Sequence, residues 1–123
     1  MKLPIQTAGR MLYAVPFAGF GVMHLTMSHI FVGMVPSFMP GGVLWVYLIG
    51  VAFLAAATAL VTGKLAKQAA WALAVVLLLF IGTIWIPRLF SSESGSAGPT
   101  LAGLFKDFGL LGAALMVAGN SEG

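Results

Sequence analysis

The sequence predicts an all-α protein, an integral membrane four-helix bundle with a Pro-rich interfacial segment between its first and second helices. Two observations predict that class. No Lys, Arg, Asp or Glu occurs between Arg10 and Lys64. A bilayer-spanning helix needs only about 20 predominantly apolar residues, so the gap holds two spans and a tight turn. The rest of the chain agrees: 7% of residues are charged and 60% hydrophobic, with a mean hydropathy of +1.05, whereas roughly a quarter of ordinary residues are charged. At 123 residues the chain is read as a single membrane domain, 1–123, with no room for a soluble catalytic module. The absence of cysteine excludes disulfides, thiolate metal sites and cysteine nucleophiles.

The first span is expected from about Met11 to Phe31. Lys2 and Arg10 ahead of an apolar run fit the start of a signal peptide. The run outlasts a signal h-region and no clear small-x-small site closes it, so an uncleaved span is expected. Pro16 inside it is tolerable where neighbouring helices re-satisfy the freed carbonyl, and should kink the helix. In Val32–Gly42, VGMVPSFMPGG, two prolines and three glycines stop a regular helix. The segment stays apolar through Val35, Phe38 and Met39, which suits an interfacial or re-entrant stretch. The second span, about Val43 to Thr62, opens with Trp45 and Tyr47 at the depth of an aromatic belt. A short polar connection, Gly63 to Gln68, leads to the third span, about Ala69 to Pro87. Ser91–Gly98, SSESGSAG, reads as a surface loop. The fourth span, about Leu101 to Gly119, is the least apolar because it contains Lys106 and Asp107.

Four spans place both termini on the side of the Lys64/Lys67 connection. Lys2, Arg10, Lys64 and Lys67 gather there, while Arg88 on the other side is opposed by Glu93. The positive-inside rule then makes both termini cytoplasmic and turns the Pro-rich segment and the Ser/Gly loop outward. Rows of small residues at every fourth position (Ala55, Ala59 and Gly63; Ala66, Ala70 and Ala74; Gly109 and Ala113) are expected where helix backbones meet.

Ionisable groups within hydrocarbon are costly and are candidates for function. At about 1.5 Å of rise per residue, His24 lies roughly 10 Å below the outer end of span one. The same count puts Asp107 roughly 9 Å into span four. The two are expected at one level, where each would offset the desolvation cost of the other, while Lys106 snorkels outward. The candidate pocket is lined by His24, Trp85 and Asp107, with His29, Arg88 and Lys106 at its mouth and walls from Phe20, Met23, Met27 and Phe108. It suits a flat, lipid-soluble ligand with one polar end. The bland reading of the same residues is a polar clamp joining helices one and four.

No metal is expected. His24 and His29 are five apart, turned about 140° from each other on a helix, and only one carboxylate is near. Ser28 follows His24 at i+4, but no orienting group or oxyanion motif accompanies it. Methionines such as Met34 and Met39 suit an apolar pocket better than copper ligation.

Gly21-x-x-His24, then Phe31-x-x-Met34-Val35-Pro36-x-x-Met39-Pro40, resembles the opening of the DoxX-like membrane protein family. The basic connection after span two and Leu104-x-Lys106-Asp107-x-x-Leu110-x-Gly112-x-x-Leu115 are also similar, so the resemblance runs from about Tyr13 to Gly119. It implies a small four-helix protein of the bacterial cytoplasmic membrane. Some relatives are linked to quinone-dependent sulfur oxidation or assemble with soluble redox enzymes. Many relatives place a glutamate in the second span, where this chain reads Gly50-Val51-Ala52-Phe53-Leu54.

Three functions are expected on these grounds. The leading one is a non-catalytic subunit or anchor of a membrane redox system, holding a quinone-like or lipid ligand, with a redox partner and a possible homo-oligomer. The others are a membrane enzyme using His24 and Asp107 as acid and base on a lipid-soluble substrate, and a small transporter component. The charge of +3 is too scattered for a nucleic-acid surface.

Overall fold

The computed structural model describes residues 4–90 and 97–121, and every regular element among them is helical. Lys2, Glu93 and most of the expected Ser/Gly loop lie outside the described residues. Helix α1 spans Ile5–Thr26, and its buried residues Tyr13, Ala14, Phe17, Gly21 and His24 recur at helical spacing along one face. Pro16 lies within this helix without ending it.

The first element departs from the expected Met11–Phe31 span. It starts earlier and breaks at Met27 (φ −130°, ψ 45°), then bends by 100° into α2, Ser28–Phe31, and a 3-10 turn, Val32–Met34. A straight helix would carry Phe31 about 10 Å along the axis from His24. The bend instead returns the Phe31 ring to stack on the imidazole at 3.9 Å.

Gly41 and Gly42, both at positive φ, turn the chain into α3, Val43–Thr62. Trp45 lines the cavity described below, and its indole N–H donates to the Pro40 carbonyl. At the far end Gly63 takes φ 79° and donates to Ala59 O at 2.9 Å, as a helix C-cap requires. Arg10 Nε donates to Leu60 O at 2.7 Å, so a cation satisfies one of the last carbonyls.

Helix α4, Ala66–Phe80, continues through a π-helical turn, Ile81–Trp85, into α5, Ile86–Leu89. The third apolar segment therefore runs from Ala66 to Leu89, passing through Pro87 where the sequence suggested a stop. Proline lacks an N–H and clashes with the carbonyl four residues back. A widened turn just upstream accommodates that clash. Helix α6, Ala97–Asn120, buries Thr100, Leu104, Asp107, Ala114 and Ala118.

Three of these segments, Val43–Thr62, Ala66–Leu89 and Ala97–Asn120, are long and apolar enough to cross a membrane; the bent α1–α2 element makes a fourth if counted as one span. Helix α1 packs on α3 and α4 on α6, with α3 and α4 in contact between the pairs. Helices α1 and α6 touch sparingly, joined by Tyr13 Oη donating to Leu110 O at 2.6 Å. Phe17, Leu60, Leu77 and Ala114 fill the core.

The small-residue rows meet the packing unevenly. Ala66, Ala70 and Ala74 are buried, but Ala55 and Gly109 are exposed. A side chain added at Gly109 would meet nothing, because Leu104, Asp107, Ala114 and Ala118 define the inward face of α6 and Gly109 lies about 200° from Asp107. Close approach occurs elsewhere. A Cβ at Gly50 would come within 2.8 Å of the His24 Cβ, and one at Gly21 within 3.0 Å of Gly50 O.

Candidate ligand-binding site

The C-terminal part of α1, the first half of α3, the α4–π-turn segment and the N-terminal half of α6 border a half-open cavity of about 410 Å³. Residues Met34, Val35, Pro36, Phe38 and Met39, from the Pro-rich segment, form part of its wall. That size falls within the range of small-molecule pockets. Its lining is apolar apart from a few groups, chiefly His24, Thr83, Trp85, Lys106 and Asp107.

Gly50 makes room for His24, whose Cβ lies directly opposite it. The imidazole is stacked on Phe31 and meets Phe53 edge-on at 5.5 Å. Its Nδ1–H donates to Phe20 O at 2.6 Å. A carbonyl can only accept, so this bond places a proton on Nδ1. Nε2 makes no hydrogen bond to the described residues and is not sealed off from the cavity.

Asp107 is 2% exposed. Its Oδ2 accepts from Trp85 Nε1 at 2.6 Å and its Oδ1 lies 3.3 Å from Lys106 Nζ. The expected His24–Asp107 ion pair is therefore not formed; the carboxylate is held by Trp85 and Lys106. Two local features explain this. The π turn carries Trp85 on its last residue, and one inserted residue rotates the helix beyond it by roughly 100°. Gly103, one turn before Asp107, leaves the indole space against α6, where any Cβ would overlap its six-membered ring. Lys106 does not snorkel away from its neighbour either. Its ammonium lies over the rings of Phe20 (4.9 Å) and Trp85 (5.8 Å) while pairing with Asp107.

Of the six sequence-derived candidates, His24, Trp85, Lys106 and Asp107 line this cavity. His29 and Arg88 are exposed and do not line it. Among the expected walls Phe20 is present, but Met23, Met27 and Phe108 are not; Met27 and Phe108 point outward. The break carries Met27 off the α1 face that bears His24, and Phe108 lies off the α6 face defined by Leu104 and Asp107; Phe17, Phe31, Phe53 and Phe80 stand in their place. Gly50, Gly103 and Thr83 were missed as site residues. Gly103, four residues before a buried acid, was the one readable signal, since a glycine on an acid's own helix face marks a close neighbour. Among the described residues no group of three or more His, Cys, Asp or Glu is placed to hold a metal.

Fold and site together define an all-helical protein with membrane-length apolar helices around an apolar cavity carrying a small polar cluster. A family profile described as a domain of unknown function, DUF8561, matches residues 13–101, and the chain belongs to that family. Searches of curated proteins and of solved structures returned no match.

Proposed function

We propose that this is a four-span membrane protein of the bacterial cytoplasmic membrane, with both termini cytoplasmic. In this reading it binds one flat, lipid-soluble molecule with a polar end, quinone-like or lipid, as a non-catalytic subunit or anchor of a membrane redox system. The cavity carries the reading: largely aromatic and apolar walls with a few polar groups are complementary to such an amphiphile. The redox association rests on the DoxX-like resemblance, and the orientation on Lys2, Arg10, Lys64 and Lys67. A subunit role is favoured over an acid–base enzyme because Asp107 is already engaged by Trp85 and Lys106.

The test is organic extraction of the purified protein followed by mass spectrometry. One apolar species at about one per chain is expected, and it should be lost when Ile49→Trp fills the cavity. Bulk membrane lipids in equal amounts from both proteins would sink the reading.

A further inference from the structure

We infer that the molecule held in this cavity is a hydrogen-bond donor at its polar end, a lipid-soluble phenol or alcohol (for a quinone-like ligand, its reduced quinol form) rather than a carbonyl compound or ether. The inference rests on the cavity being a ligand site and names the ligand's chemistry from the hydrogen bonds the wall leaves open.

Four N–H or O–H donors on the lining are already engaged by the protein itself. His24 Nδ1–H is given to Phe20 O, Trp45 Nε1–H to Pro40 O, Thr83 Oγ1–H to Leu79 O and Trp85 Nε1–H to Asp107 Oδ2. What these groups leave open are acceptors, foremost His24 Nε2. The imidazole is 7% exposed, held between Phe31 and Phe53, and forms no ion pair among the described residues. A positive charge there would be largely buried with no carboxylate of the described residues in contact. The ring is therefore the neutral tautomer with its proton on Nδ1, and Nε2 presents a lone pair. Lys106 is the remaining donor, but its side chain is 45% exposed and already paired with Asp107. His24 Nε2, by contrast, is an acceptor with no protein partner among the described residues. An acceptor on the cavity wall that faces a carbonyl or ether oxygen stays unsatisfied once the ligand excludes water, which penalises such ligands more than it penalises a donor.

The probes are para-hexylphenol and its methyl ether, para-hexylanisole, which differ in the hydroxyl hydrogen. Each is titrated into the detergent-solubilised protein and followed by tryptophan fluorescence, since Trp45 and Trp85 both line the cavity. The phenol should bind about tenfold more tightly, the worth of one hydrogen bond in a desolvated site. His24→Phe, which keeps an aromatic ring without the acceptor, should erase that preference. In ¹⁵N-histidine spectra the phenol, and not the ether, should shift the Nε2 resonance of His24. That reading and the wild-type affinity ratio decide the matter should the variant fail to fold. Equal affinities, or a tighter ether, would overturn the inference while leaving the cavity a ligand site. Binding of neither probe would overturn the ligand site and the inference together.

Discussion

At the end of the molecule that carries the Gly63–Leu65 turn, the helices meet through small side chains. Ala66, Ala70, Ala114 and Ala118 are all buried, Leu60 fills the space between, and Arg10 closes the last turn of α3. At the opposite end the same helices carry Phe20, Phe31, Phe80 and Trp85, and these surround a space instead of filling it. Both helix irregularities, the 100° bend after Thr26 and the π turn at Ile81–Trp85, fall at this second end. Helix irregularity holds the cavity open. Regular helices with alanine at the contact pack with little space between them, and the close backbone approach of Gly21 against Gly50 supports His24 at the edge of the cavity. A bent helix and a widened turn keep their side chains apart, and the polar groups sit where the helices are irregular. Such backbone is tolerable at membrane depth only where protein or a cavity covers it.

The two ends should respond differently to the same vacancy. Leu60→Ala should cost about 2 kcal/mol or more, because a fully buried side chain leaves a hole its tightly packed neighbours cannot fill. Met34→Ala, on the wall of an existing cavity, should cost well under half of that. Thermal unfolding in detergent measures both. Equal losses would mean that the second end is as tightly packed as the first.

A second pair sharpens the role of Trp85. Gly103→Ala places a methyl inside the indole's position. It should cost about 1–3 kcal/mol, as overpacking does, and shift the tryptophan emission as Trp85 leaves Asp107. Gly109→Ala, with nothing before it, should be neutral or slightly stabilising, since alanine is the better helix former. Sensitivity at Gly109 with indifference at Gly103 would reverse the assignment of the α6 face.

These two glycines show how far the sequence could be read. The apolar segments were legible because uninterrupted hydropathy survives any error in the ends, and the ends did move: α1 begins at Ile5 and the third segment at Ala66. His24, Trp85, Lys106 and Asp107 were legible because so few polar groups occur within apolar segments that most had to share one place. Their pairing was not. Counting residues gives depth along a helix but no azimuth, and a π turn that rotates Trp85 toward Asp107 leaves no mark in hydropathy. The same limit misplaced Gly109. A helix apolar on nearly every side shows no strong amphipathic stripe, so a small-residue row cannot say which face turns inward.

The smallest effect belongs to the packed end. Leu65 is a non-glycine residue at positive φ, 61°, between Gly63 and the start of α4, and its side chain is 65% exposed. The left-handed region costs an ordinary residue roughly 1–2 kcal/mol. Glycine removes that strain but gains freedom in the unfolded chain, which takes back up to about 1 kcal/mol. With little packing to lose, Leu65→Gly should raise stability by no more than about 1 kcal/mol, read as a small increase in Tm. A marked loss would mean that this exposed leucine anchors the turn through a contact outside the chain, such as lipid or a second copy, and that the packed end is not self-sufficient.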